Sequence, residues 1–170
     1  MSEHTAEQFD EVDLALLENI EADFDVSLET LAEELDLSKS AVHYRLNNLK
    51  ERGVVTGVTA DVDPAPFGLA MVAITEVSVT HEQGYSEEVG EQLAAIDGVE
   101  QVFYTMGDVD FVTITRVQNR EQMNKVIESM VAIDGVNETS SRFVMNEIER
   151  GPGVIANMSD GMRDVVLDGE

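Results

Sequence analysis

Fourteen residues, KSAVHYRLNNLKER (39–52), hold Lys39, Arg45, Lys50 and Arg52 against a single acid, Glu51, in a chain whose formal net charge is −25. Among them stand Ser40, His43, Tyr44 and Asn47, four side chains with hydrogen-bonding groups. On a helix, Val42, Leu46 and Leu49 fall on one stripe, and Ser40, His43, Tyr44 and Asn47 fall on the opposite face. Lys39 and Lys50 border that polar face, while Arg45 and Arg52 lie nearer the apolar edge. Small polar groups around an aromatic ring, flanked by cations, suit the DNA major groove. There polar side chains meet base edges and cations meet phosphates. Part of the basic set has a structural account: cations near a helix C-terminus favour the macrodipole by about 0.3–1 kcal/mol each. That covers Lys50 and Arg52. It leaves Lys39 at the wrong end of the dipole, and the near absence of acids unexplained. Lys39, Ser40, His43, Tyr44, Arg45, Asn47 and Lys50 are the expected contacts, with double-stranded DNA as the partner.

A second group of polar residues lies in TMGDVDF (105–111): Thr105, Gly107, Asp108 and Asp110. Gly and Asp favour a plain tight turn whether or not a ligand binds there. Nothing in the chain assembles a catalytic set. His4, His43 and His81 lie in different elements without metal-ligand spacing, and no phosphate-binding loop or nucleophile elbow occurs. Zero cysteines exclude disulfides and thiolate chemistry. The expectation is a non-enzyme with no metal and no cofactor.

The elements that position these groups follow from periodicity. In FDEVDLALLENIEADF (9–24), Val12, Leu16 and Ile20 recur at helical spacing, widened by Leu14 and Leu17. Ser27 stands where an N-cap belongs before LETLAEELD, whose apolar face is Leu28, Leu31, Ala32 and Leu35. After a tight Asp36-Leu37 connection, Ser38 caps the third helix, and Gly53 stops it at C′. Three short helices with a tight turn between the second and third make a helix-turn-helix. The alternation in VVTGVTADVD (54–63) fits a wing or linker strand.

The second half repeats itself. EQLAAIDGVE (91–100) and ESMVAIDGVN (128–137) share a helix end, an Ile-Asp-Gly-Val turn and a strand start. LAMVAITEVSV (69–79) and DFVTITRV (110–117) precede them as strands, and QVFYTM and ETSSRFVMNEI follow. The order is βαββαβ, a ferredoxin-like pair of units with both helices on one face of an antiparallel sheet. Along the first strand Met71, Ala73, Thr75, Val77 and Val79 alternate with Val72, Ile74, Glu76 and Ser78. Both sets begin apolar, so the second face is expected to be buried in a homodimer. A dimer also presents two helix-turn-helix units to a palindromic site.

The composition, 43% apolar and 26% charged, is globular. No run approaches the ~20 apolar residues of a membrane span, and the acidic N-terminus lacks a signal-peptide pattern. A cytoplasmic, non-membrane protein is expected. Thirty-five acids against ten basic residues are spread along the chain, as on a solvated surface rather than in a tail. In ~1 M salt the Debye length is roughly 3 Å, so a salt-rich cytoplasm is the expected setting.

The first half resembles the N-terminal half of Lrp/AsnC (feast/famine) transcription regulators. The resemblance rests on Asp10 and Asp13 before Leu16-Leu17, on Leu31-Ala32, Leu37-Ser38, Val42, Arg45-Leu46, Leu49 and Gly53-Val54-Val55, and on Asp63-Pro64 leading to Gly68. With the acidity, it points to a haloarchaeal member. It implies that the third helix is the recognition helix. It also implies that the second half is a regulatory domain binding small effectors, usually amino acids, between subunits near a Gly-x-x-Asp turn. That turn matches Gly107 and Asp110, with Thr105 and Asp108 beside it. The expected fold is α+β: a winged helix-turn-helix (1–60), a linker (61–68), a ferredoxin-like effector and oligomerisation domain (69–150) and a C-terminal extension (151–170). In the extension, VIANM…MRDVV suits a short helix. The expected assembly is a homodimer or a higher, octamer-like form. Two alternatives share the architecture. Sirohaem decarboxylases carry His, Tyr, Asn and Trp around the second and third strands, whereas VEQVFYTMGDVDFVTITRV (99–117) has no His, Asn or Trp. A non-DNA-binding effector module would not need the cationic third helix.

Overall fold

The computed structural model describes residues 9–23, 25–57, 62–80, 85–148 and 153–168. The chain divides into two compact units, one of residues 1–61 with 149–170 and one of residues 62–148.

In the first unit, α1 (Glu11–Ala22), α2 (Leu28–Glu34) and α3 (Lys39–Glu51) form the helix-turn-helix. Each start is capped by the residue that the chemistry favours. Asp10 and Asp13 make a capping box on α1, Ser27 accepts from Thr30 N–H on α2, and Ser38 accepts from Ala41 N–H on α3. Two helix ends share one geometry. After α2 the Leu37 N–H reaches back to the Ala32 carbonyl (2.9 Å), and after α3 the Val54 N–H reaches the Leu49 carbonyl (2.9 Å). Both are Schellman closures around a left-handed C′ residue. At the second it is Gly53 (φ 75°), as the sequence suggests; at the first it is Asp36 (φ 51°), a residue type that tolerates this region through its short polar side chain. The apolar stripes meet in one core of Leu14, Leu16, Leu17, Leu31, Ala32, Val42 and Leu49, with Leu46 packed at its edge. Of the strand expected over 54–63, residues 54–57 form no strand, and residues 58–61 lie outside the described residues.

A fourth helix, α6 (Asp160–Asp168), belongs to this same unit, and Ile155 joins its core. The helix expected from MRDVV is thus present, and it is attached to the helix-turn-helix.

The second unit runs β1 (Met71–Val79), α4 (Tyr85–Ala94), β2 (Val99–Tyr104), β3 (Phe111–Val117), α5 (Arg120–Val131), β4 (Val136–Phe143). All pairings are antiparallel, in the order β2-β3-β1-β4. The odd-numbered residues of β1 and β3 face the helices: Ala73, Val77, Val79, Phe111 and Val117 pack with Val89 and Leu93 of α4 and Met123, Val126 and Met130 of α5. The repeated Ile-Asp-Gly-Val turns are superimposable in kind. Gly98 and Gly135 both take φ 92°, and the Val99 and Val136 N–H groups each donate to the Ile carbonyl three residues back at 3.1 Å. Gly98 is also constrained by space, since a Cβ there would stand 3.1 Å from Val117 Cγ1. The other sheet face carries Val72, Ile74, Val112, Ile114 and Phe103, with Ile74 and Phe103 exposed.

Candidate nucleic-acid interface and effector turn

On α3, Val42 and Leu49 are fully buried and fix the helix's roll about its axis. That roll leaves Ser40, His43, Tyr44 and Asn47 exposed together, with Tyr44 71% exposed. Asn47 Nδ2 lies 3.2 Å from His43 Nδ1, one turn away, so the two side chains hold each other in the middle of the face. At its ends lie Lys39, paired with Glu29 of α2 at 2.6 Å between two exposed side chains, and Lys50 in the last turn. An exposed pair of that kind contributes ~0–1 kcal/mol and opens readily. Lys50 has no carboxylate partner among the described residues.

Arg45, grouped with the expected DNA contacts, is engaged within the unit. Its Nη1 donates to Asp10 Oδ2 and to Asp13 Oδ1, both at 2.7 Å, with its side chain 30% exposed. The guanidinium therefore ties α3 to the capping box that starts α1. Burial works to raise the Asp10 carboxyl, but the Asp13 N–H and the Arg45 guanidinium outweigh it and hold the group below the usual carboxylate range. A depressed folded value means that this contribution is present above the ordinary carboxylate range and lost as pH falls below it. Arg52 instead lies over the Phe9 ring, 4.9 Å from its centroid.

The turn between β2 and β3 brings Thr105, Gly107, Asp108 and Asp110 together, but they do different things. Thr105 donates its hydroxyl to the Val109 carbonyl, and its N–H bonds the Asp110 carbonyl at 2.8 Å. Gly107 and Asp108 are exposed at the tip. Asp110 is 7% exposed, and its Oδ2 accepts the Val79 N–H at 2.8 Å. The β1–β3 ladder ends at the Val77–Phe111 pair, so the carboxylate stands in for the strand partner that Val79 lacks beyond it. We expect Asp110→Ala to cost about 1–3 kcal/mol, because it orphans a buried N–H. Denaturant unfolding of the purified variant checks this; a midpoint equal to the parent's would show that the Val79 amide needs no such partner.

Two arginines of the sheet are held in ion pairs. Arg142 pairs with Glu76 across the sheet through both nitrogens, Nη2 to Oε2 at 3.1 Å. Arg116 is 7% exposed. Its Nε donates to Glu100 at 2.7 Å and its Nη2 to both oxygens of Glu147 at 3.0 and 3.1 Å. Burial works against its charge, but the Glu100 and Glu147 carboxylates outweigh it and push the value up. The sequence signal for Arg116 is a single cation inside the otherwise uncharged strand FVTITRV.

A helix-turn-helix with an exposed polar recognition face, joined to a ferredoxin-like sheet with a glycine–aspartate turn, defines a two-unit DNA-binding protein. The comparisons place it further. Residues 9–56 match a winged helix-turn-helix DNA-binding model, and residues 72–154 match the Lrp/AsnC ligand binding domain. The chain is 31% identical over 136 residues to the HTH-type transcriptional regulator FL11 of Pyrococcus horikoshii, covering 80% of this chain and 89% of that protein. It is 32% identical over 136 residues to the HTH-type transcriptional regulator LysM of Sulfurisphaera tokodaii, covering 80% and 94%. The fold matches the crystal structure of the transcriptional regulator NMB0573 of Neisseria meningitidis in complex with L-Met, with TM-score 0.82, 22% identity, and coverage of 88% and 98%. The chain belongs to the Lrp/AsnC family: it is a DNA-binding transcriptional regulator, and not an enzyme. No helix among the described residues is long and apolar enough to cross a membrane.

Proposed function

We propose that this regulator reads its operator with Ser40, His43, Tyr44 and Asn47, grips flanking phosphates with Lys39 and Lys50, and uses Arg45 to hold the recognition helix against α1. The observation that carries the reading is the one exposed polar face of α3, bordered by cations in a chain of net charge −25. The protein works as a homodimer, or a higher octamer-like assembly, through the apolar sheet face of Val72, Ile74, Phe103, Val112 and Ile114. Its support is the exposure of Ile74 and Phe103 on one apolar face of the sheet. A small effector, an amino acid by class, binds at the β2–β3 turn, where Gly107 and Asp108 are exposed, Thr105 braces the turn from within and Asp110 holds it to β1. What supports this is the turn's geometry together with the match of residues 72–154 to a ligand-binding domain. The acidic surface suits a salt-rich, haloarchaeal cytoplasm.

The test is binding to the promoter of the chain's own gene in molar KCl, with Lys39→Glu and His43→Ala beside the parent. Lys39→Glu weakens binding about equally for all sequences and flattens the salt dependence by roughly one phosphate contact. His43→Ala leaves the salt dependence alone and narrows the gap between operator and random DNA. If all three proteins bind alike, the recognition face is misassigned.

A further inference from the structure

The chain enters the helix-turn-helix unit twice, and its second visit is built as a dock. Neither family model reaches residues 155–168, since the matches end at 56 and 154. Yet Ile155 is 8% exposed within the core that holds Leu14, Leu16 and Val42, and Met158, Val166 and Leu167 pack against that core. The polar half of the contact is specific. The Glu21 carboxylate, on the last turn of α1, accepts the N–H groups of Val154 (2.8 Å), Ile155 (2.8 Å) and Ala156 (3.4 Å). Three successive amides aimed at one carboxylate form an anion cradle. The residue before them is Gly153, where a Cβ would stand 2.4 Å from Glu21 Oε2 and 3.0 Å from Glu21 Cβ. A side chain at 153 would require the Glu21 carboxylate to swing out of the cradle. Arg163 of α6 closes the other side, donating to Glu18 of α1 at 3.1 Å and to the Ile155 carbonyl at 3.0 Å.

We propose that residues 153–168 are a structural part of the DNA-binding unit, locked onto α1 by Glu21 and Arg163, so that the ferredoxin-like unit is joined to the DNA-binding unit at both of its ends. The outgoing join has an anchor as well. Glu147, next to the segment that returns to α1, is clasped by Arg116 of β3, whose Nη1 also lies 3.5 Å from the carbonyl of Leu69 on the incoming side. One buried guanidinium thus ties both connections to the sheet.

Hydrogen exchange of the full-length protein tests the lock, with Gly153→Ala as the variant and operator affinity measured in parallel. We expect amide exchange in both α1 and α6 to rise about tenfold or more, with α4 and α5 unchanged, and operator affinity to fall severalfold. Faster exchange in α6 with α1 at the parent's rate would overturn the proposal, because the segment would then only rest on the unit. No change in either helix would overturn it equally, since Glu21 would not need the glycine. Should Gly153→Ala fail to fold, the Arg163→Glu variant and its Glu18→Arg, Arg163→Glu charge swap decide the matter. The single change should speed exchange in α1 and the swap should restore protection. A swap that restores nothing in α1 refutes the lock.

Discussion

Replacing Tyr44 and Asn47 together by alanine should lower operator affinity by on the order of 100-fold while leaving the unfolding midpoint where it was. Each well-placed side-chain contact to a base edge is worth ~1–3 kcal/mol of discrimination, and every 1.4 kcal/mol is about tenfold in affinity. The two side chains are exposed and contribute nothing to the core of Val42 and Leu49, so their loss costs the fold little beyond the exposed Asn47–His43 bond. Arg45→Ala is the control with the opposite signature. It removes two 2.7 Å ion pairs from Asp13, which is 13% exposed, and from the more open Asp10. That places its cost between the near-zero value of surface pairs and the ~3–5 kcal/mol of a broken buried one, about 1–3 kcal/mol. Its effect on DNA should therefore track the loss of helix anchoring, with no change in salt dependence. Fluorescence anisotropy against operator and random duplexes, run beside thermal melts, separates the two. An Arg45→Ala protein that keeps its midpoint but loses a phosphate's share of the salt slope would return Arg45 to the DNA contacts.

The contrast between Arg45 and its neighbours shows what periodicity conveys. Helical spacing identifies which face of α3 is polar, and local chemistry identifies the caps, so Ser27, Ser38 and Gly53 are legible from adjacent residues alone. The repeat of Ile-Asp-Gly-Val foretells two equivalent turns, and the structure builds both with the same φ. What spacing does not convey is the partner of a long side chain that bonds far along the chain. Arg45 meets Asp10 across 35 residues, Arg116 meets Glu147 across 31, and Glu21 meets Ile155 across 134. Each depends on how two elements dock, which no local pattern encodes. Asp110 is a related case. Its residue type fits a ligand-facing turn, but the end of the β1–β3 ladder leaves a Val79 N–H that draws the carboxylate inward.

Moving the protein from about 2 M to about 0.1 M KCl should lower its thermal midpoint by on the order of 10 °C, equivalent to a few kcal/mol for a chain of this size. Among the described residues, Lys39, Arg45, Arg116, Lys125, Arg142 and Arg163 are already committed to carboxylates. The thirty-five acids so outnumber them that the surface must carry its excess in like-charged neighbours. On α4, Glu87, Glu88 and Glu91 follow within one turn, with Glu87 and Glu91 directly adjacent at i, i+4 spacing. At ~2 M salt such neighbours are screened within a few ångströms, whereas at ~0.1 M the Debye length reaches about 10 Å and spans a whole helix diameter. Self-repulsion then favours the expanded chain. Unfolding expels no comparable set of attractive pairs, because the ion pairs that exist are mostly exposed and individually weak. Calorimetry in KCl, in tetramethylammonium chloride and in sucrose of matched osmolality distinguishes screening from solvent exclusion. If charge repulsion is the cause, the two salts stabilise alike and sucrose falls short of both. Equal stabilisation by sucrose would transfer the effect to hydration of the apolar core and leave the acidic surface without a role in salt tolerance.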